Sequence, residues 1–175
     1  AGAGDRAVSV GDRFSGDDVL KIEGNLTLDV LTLDGGAVQL DSNNNGSSTL
    51  TVGQLRVVST TGVSSITGSD TATPDDVLNI GASGFDLQQD FELSGLTVNS
   101  SGPTTTDTGS GDDLNLTGGT VFTNTGTFDL QANSDSVVSS DSTGTFVNAG
   151  TLAKTGSFTS FIGSTTVGDL TFQST

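Results

Sequence analysis

The chain contains no cysteine, histidine, methionine, tryptophan or tyrosine. Phenylalanine alone supplies its 5% aromatic content, and only 2 prolines and 5 basic residues are present. Without Cys or His there is no zinc, copper or iron–sulfur site of the usual kind, no thiol nucleophile and no Ser–His–Asp arrangement. No disulfide can form, so stability must come from packing and backbone ladders. No apolar run approaches the roughly 20 residues of a membrane-spanning helix, so membrane insertion is not expected. No stretch carries the i, i+3, i+4, i+7 apolar face of a helix. The prolines, Pro74 and Pro103, form no Pro-rich linker. A single elongated β domain over residues 1–175 is therefore predicted.

The charge balance is lopsided, with 21 acidic residues against 5 basic and a net charge of −16. All the acids but Glu23 and Glu92 are Asp, which favours turns over helices. Such a surface repels nucleic acid and anionic membranes, attracts divalent cations and suits high salt. The start Ala1-Gly2-Ala3-Gly4 is of the small-residue kind that signal-peptide removal leaves. It predicts an exported protein, extracellular or at a cell surface, with a trimmed chain as the alternative.

What is present is β patterning. The apolar 31% is concentrated in Leu, Val, Ile and Phe at alternating positions. One pattern returns as Leu26, Leu28, Leu31, Leu33, as Leu50, Val52, Leu55, Val57, and as Phe91, Leu93, Leu96, Val98. An imperfect copy, Thr165, Val167, Leu170, Phe172, begins on a polar residue. Each copy is two short strands joined by a one-residue offset that flips the inward face. Recurring bent strands predict a repeat architecture that coils. Further short strands are expected at Ala7–Val10, Val19–Ile22, Ala37–Leu40, Val63–Ile66, Val77–Ile80 and Phe85–Leu87, and more densely after residue 113. Ser100–Thr108 reads as a polar stretch without a strand. Paired acids precede a strand at Asp17-Asp18, Asp75-Asp76 and Asp112-Asp113, where they are expected to solvate turns and discourage wrong edge pairing.

Over residues 119–163, Gly126-Thr127-Phe128-Asp129-Leu130, Gly144-Thr145-Phe146-Val147-Asn148-Ala149-Gly150-Thr151-Leu152 and Lys154-Thr155-Gly156 stand in order. This stretch resembles the repeat units of large secreted bacterial β-helix surface proteins, in which segments of the form G-T-F-x-N-x-G-T-L-x-K-x-G recur. The resemblance implies a parallel β-solenoid exposed at a cell surface. The first 100 residues match less well, which leaves a β-sandwich as the alternative there.

Few motifs point to chemistry. Asp41-Ser42-Asn43-Asn44-Asn45-Gly46 fits the opening of a calcium loop, with Asp41, Asn43 and Asn45 as candidate metal ligands. The twelfth position, which should be acidic, is Val52, so an Asn-rich hairpin tip explains the segment equally. Gly109-Ser110-Gly111-Asp112-Asp113-Leu114 is similar to one calcium nonapeptide of repeats-in-toxin proteins, yet the copies do not follow one another as stacked turns require. No cofactor other than possible calcium is implied. Glycoside hydrolysis needs two carboxylates across a cleft, and with this many acids some pair always fits. The five basic residues form no cluster of the kind that pectin-lyase-like β-helix enzymes use, and sugar-stacking Trp or Tyr is absent. No enzyme is expected. Ice-binding solenoids carry Thr-x-Thr ranks on a flat face. Here Thr27, Thr32, Thr49, Thr51 and Thr97 accompany the bent strands at spacings that predict no rank. The sequons at Asn25, Asn45, Asn99 and Asn115 are of the number chance gives in so Ser- and Thr-rich a chain.

Neither end of the sequence offers a polar cap of the kind that soluble solenoids use. The expectation is a non-enzymatic subunit of an extracellular filament or surface layer, pairing with itself head to tail through β ends or by strand addition. The interface residues expected are Ala7, Val8 and Val10 at one end and Val167, Leu170 and Phe172 at the other. The alternative is an adhesin or ligand-binding solenoid module of a larger surface protein.

Overall fold

The computed structural model describes residues 7–11 (backbone only), 18–41, 46–58, 62–69, 74–106, 113–131, 135–157, 159–163 and 169–175. The strands among them pair only in parallel. β1 (Ala7–Gly11) opens the stack. The next coils are β2 (Val19–Ile22) with β3 (Asn25–Asp34), β4 (Ala37–Leu40) with β5 (Thr49–Val57), and β6 (Ser64–Thr67) with β7 (Asp76–Leu87). After that the long strand is divided. β8 (Phe91–Ser94) leads into β9 (Leu96–Ser100) and β10 (Thr104–Thr106), and β11 (Asp113–Thr117) into β12 (Val121–Asn124) and β13 (Thr127–Leu130). β14 (Ser136–Val138), β15 (Thr145–Asn148) and β16 (Thr151–Lys154) follow, then β17 (Phe161–Ile162) and β18 (Thr171–Ser174).

The result is an all-β parallel solenoid with three faces. The first face is the 7-stranded sheet β2-β4-β6-β8-β11-β14-β17. The 11-stranded sheet turns a corner and supplies the other two. The first halves of β3, β5 and β7 stack with β9, β12, β15 and β18 as the second face. Their second halves stack with β1, β10, β13 and β16 as the third.

The bent-strand pattern is the mechanism of turning. Leu28, Leu31 and Leu33 point inward and are buried, as are Leu50, Val52, Leu55 and Val57. Ladder pairing passes from Leu28↔Val52 to Val30↔Gln54, so Asp29 and Gly53 form the corner. The third copy serves a different corner: Phe91 and Leu93 lie on the first face, Leu96 and Val98 on the second. One residue, Gly95 at φ 67, makes that corner, a backbone conformation that costs a Cβ-bearing residue free energy. The spacing therefore encodes a tight corner, not a particular one. In the fourth copy, Thr165 and Val167 lie outside the described residues, and Phe172 is in β18.

Inward residues of successive coils sit directly above one another. Phe122 pairs with Phe146 and Phe146 with Phe172, and their rings stack at 5.6 and 5.9 Å. Phe128 meets Phe146 edge-on at 5.1 Å. The corner that follows is built by Asn124-Thr125-Gly126-Thr127 and its copy Asn148-Ala149-Gly150-Thr151. Asn124 Nδ2 donates to Asn148 Oδ1 (2.7 Å) and to the Gly126 carbonyl (3.2 Å), and Asn148 Nδ2 donates to the Gly150 carbonyl (3.0 Å). A Cβ on Gly126 would overlap the Gly102 carbonyl of the coil below. The G-T-F-x-N-x-G-T-L form thus reads as an outward Thr, a column Phe, a ladder Asn and a corner Gly.

Three expectations change. The β-sandwich alternative for the first 100 residues is wrong: β2 to β9 stack in parallel within the same solenoid. Val77–Ile80 and Phe85–Leu87 belong to one strand, β7. Ser100–Thr108 contains β10, which has no apolar residue to reveal it. Its inward residues Thr104 and Thr106 are buried and satisfied by Ser100 Oγ at 3.2 Å and by Asp135 Oδ2.

Because Phe146 is fully buried between two rings, Phe146→Ala should destabilise the fold by about 3–5 kcal/mol in urea unfolding. Phe172→Ala, with its ring 44% exposed, should cost well under half of that.

Candidate functional site

Of the residues expected to make contacts, Ala7, Val8 and Val10 lie in β1, paired along one edge with Val30, Leu31 and Leu33. Among the described residues β1 is the outermost strand of the third face at that end. Val167 lies outside the described residues. Leu170 is partly buried against the core, and Phe172 is 44% exposed in β18, the outermost strand of the second face.

The structure adds neighbours that sequence reading did not select. Leu152 in β16 and Phe161 in β17 are also exposed, at 39% and 45%. A depression of about 470 Å³ lies between these strands, lined by Leu130, Leu152, Lys154, Ile162 and Phe172 among others. Lys154 bends over it, its Nζ donating to the Leu130 carbonyl at 3.1 Å. Elsewhere in the stack this cross-section is filled by the next coil. The signal was available in the pairing of Phe128 with Leu152 and Val137 with Ile162, but loops of unequal length hide that register.

Asp41 is buried at a corner with φ 44, and its Oδ2 accepts from Gly46 N at 3.0 Å and Ser69 Oγ at 3.4 Å. Asn43 and Asn45 lie outside the described residues. The carboxylate of Asp76 stands one coil on. Its Oδ1 accepts from Ser48 N (2.6 Å) and its Oδ2 from Ser69 N (2.8 Å) and Ser69 Oγ (3.0 Å). Asp76 therefore does not solvate a turn, as its place in an acid pair suggested. It is fully buried and ties two corner loops together. Asp113, in the third acid pair, has its N–H bonded to Asp90 Oδ1 at 3.0 Å and accepts a hydrogen bond from Ser136 Oγ. Among the described residues no group of three or more acidic side chains is arranged to hold a metal ion.

No protein family, curated protein or solved structure matches this chain.

Two carboxylates are pushed in opposite directions. Burial raises Asp113 above the ordinary value of 3.8, and the charges of Asp90 and Asp135 add to this, while hydrogen bonds from Ser136 oppose it. For Asp141 burial also raises, but hydrogen bonds from Gly118 N, the Thr143 hydroxyl and N–H, and the Ser139 hydroxyl outweigh it, holding the carboxyl below 3.8. A raised folded value means that Asp113 favours the fold below pH 3.8 and that this is lost as pH rises through its folded value. Asp113→Asn should therefore raise the melting temperature at neutral pH, with the gain fading below the ordinary Asp range. Asp141 has the reverse sign: its contribution is present at neutral pH and is lost as pH falls through its depressed value. Asp141→Asn should lower the melting temperature at pH 7 and much less at pH 2, measured by circular dichroism.

Proposed function

We propose that this chain is a non-enzymatic extracellular structural protein that assembles end to end with copies of itself into a filament or surface layer. One observation carries the reading: the apolar edge where Leu152 and Phe172, both exposed, stand with Ile162 around an open depression. Strand edges present unpaired N–H and C=O groups that template another strand, and here the edge is backed by uncovered core side chains.

The partner such an edge fits must be a parallel coil with apolar inward residues in the same triangular section. The first coil of the chain has this form, with Leu20 and Ile22 on one face and Leu26 and Leu28 on the next. A contact between unlike ends is heterologous and grows without closing. The high negative charge opposes side-by-side clumping of such filaments, and the lack of Cys, His and clustered basic groups supports a role without catalysis. The resemblance of residues 119–163 to repeats of secreted bacterial surface proteins supports an extracellular place. The second reading, an adhesin module within a longer surface protein, assigns the same edge to further coils of the same polypeptide.

Sedimentation velocity and electron microscopy of the purified chain over rising concentration, with and without calcium, test this. Fibres about one solenoid wide are expected, and Phe172→Asp should abolish them while leaving the β circular dichroism unchanged. A chain that stays monomeric throughout would favour the adhesin module, and assembly confined to calcium-loaded samples would give the Asp41 loop a role in the contact.

A further inference from the structure

The described strands are shared evenly among the three faces. The first face has 7. β3, β5 and β7 each serve both of the other faces. Four more strands complete each of those: β9, β12, β15 and β18 on the second, β1, β10, β13 and β16 on the third. All three faces are therefore equally tall, but their ends are out of phase. The stack starts on the third face, where β1 lies one coil ahead of β3. It finishes on the first and second, where β17 and β18 lie one coil beyond β14 and β15. No third-face strand accompanies β17 and β18 among the described residues. β16, along which such a strand would run, pairs only with β13.

The depression beside Phe172 occupies that position. Leu152 and Lys154 of the third face, Ser160 and Ile162 beside the first, and Phe172 of the second all line it. Leu152 is 39% exposed, whereas Phe128, its partner one coil below, is fully buried. Ser160 Oγ is buried in the same wall and has no hydrogen-bond partner among the described residues. A hydroxyl left so costs free energy until something bonds to it. A strand laid along β16 would cover Leu152, continue the ladder and bring backbone polar groups into the depression that Ser160 lines.

The opposite end of the solenoid carries a strand at the matching place. Leu31, Leu55, Phe85, Thr104, Phe128 and Leu152 stand at one height on the third face. Val8 pairs with Leu31 at the start of that column. β1 has β3 along one edge, and its other edge is open among the described residues. In a second copy stacked beyond β17 and β18, β1 falls beside β16 with no shift along the strand. Val8 then stands opposite Leu152, Ser9 opposite Ala153 and Val10 opposite Lys154. The same stacking sets Leu26 of the added copy over Phe172, because the second-face column that ends at Phe172 begins at Leu26. Both faces thus accept the added copy in a single register.

We propose that β1 of one copy completes the last coil of the copy before it, lying along β16 with Ser9 opposite Ala153, so that two chains share one composite coil. This rests on the end-to-end reading and gives it a strand, an edge and a register. Each copy then advances the filament by seven strand spacings, about 34 Å.

The chain has no Cys, so an introduced pair reports the register directly. Residues opposite one another in parallel strands lie within disulfide reach. A chain carrying both Ser9→Cys and Ala153→Cys, oxidised after assembly, should run as a ladder of disulfide-linked multimers on a denaturing gel. Within one copy the two positions are six strand spacings apart, about 29 Å, which no disulfide spans. Ser9→Cys combined with Gln173→Cys on the second face should give no links above background. Electron microscopy of the wild-type fibres should show an axial rise of about 34 Å. If the first double variant fails to fold by circular dichroism, Ala7→Cys with Thr151→Cys probes the same register. Fibres of a folded variant without these links, or with equal linking through Gln173→Cys, would overturn the strand insertion and leave end-to-end assembly standing. A chain that stays monomeric would overturn both.

Discussion

Parallel in-register stacking makes each inward position meet its own counterpart one coil away, and the rest of the structure follows from that requirement. A Phe is well placed only if the neighbouring coils also offer apolar surface at that height, as Phe122, Phe146 and Phe172 do for one another. An Asn at a corner can donate to the next Asn and to its own turn carbonyl, and a Gly is needed where the carbonyl of the coil below occupies the place of a Cβ. Similar sequence in successive coils is therefore a packing condition, not a decoration. The same condition leaves the outermost coil with core side chains that nothing in the described structure covers.

Polar groups inside the solenoid obey the same rule, because an inward polar residue must find its partner in its own coil or the adjacent one. Asp76 accepts from the backbone of Ser48 and Ser69, which belong to two different corners, and so fixes both loops to the barrel of strands. Thr104 and Thr106 form a polar patch between the apolar residues Phe85, Leu87 and Phe128 on the third face, and the Ser100 and Asp135 side chains satisfy it. On the outside, Arg56 reaches Asp86 at 3.3 Å across neighbouring coils, a pair exposed enough to add little to stability. At the corners, Asp41 and Asp141 accept from backbone N–H groups that turn toward them.

Much of the fold was legible because tight corners leave a mark in one dimension. The step of three between Leu28 and Leu31, or Val52 and Leu55, is a local consequence of turning without breaking the strand. The step could not say which corner it makes: the Phe91–Val98 copy sits at a different one, since every one-residue corner imposes the same offset. β10 left no mark at all, because its inward residues are Thr, and hydroxyls satisfied by distant partners look the same in sequence as a loop. The candidate contact site was half legible. Leu170 and Phe172 lie in the final bent pair, but Leu152 and Ile162 join Phe172 only through coils whose lengths differ.

The sequence by itself determined that the chain is all-β, built of short strands that bend at one-residue offsets between Gly- and Asn-rich turns, because alternation, offset and turn chemistry act between near neighbours. The parallel stacking of the first 100 residues was decided by the tertiary structure. Only the tertiary structure decided which residues share a face. Loops of different length shift the sequence spacing without disturbing the ladder, since a backbone hydrogen bond is indifferent to how many residues were looped out between its partners. That is why Thr49, Thr97 and Thr145 stand in one rank, and why Asp76 is buried although its acidic neighbour Asp75 is exposed.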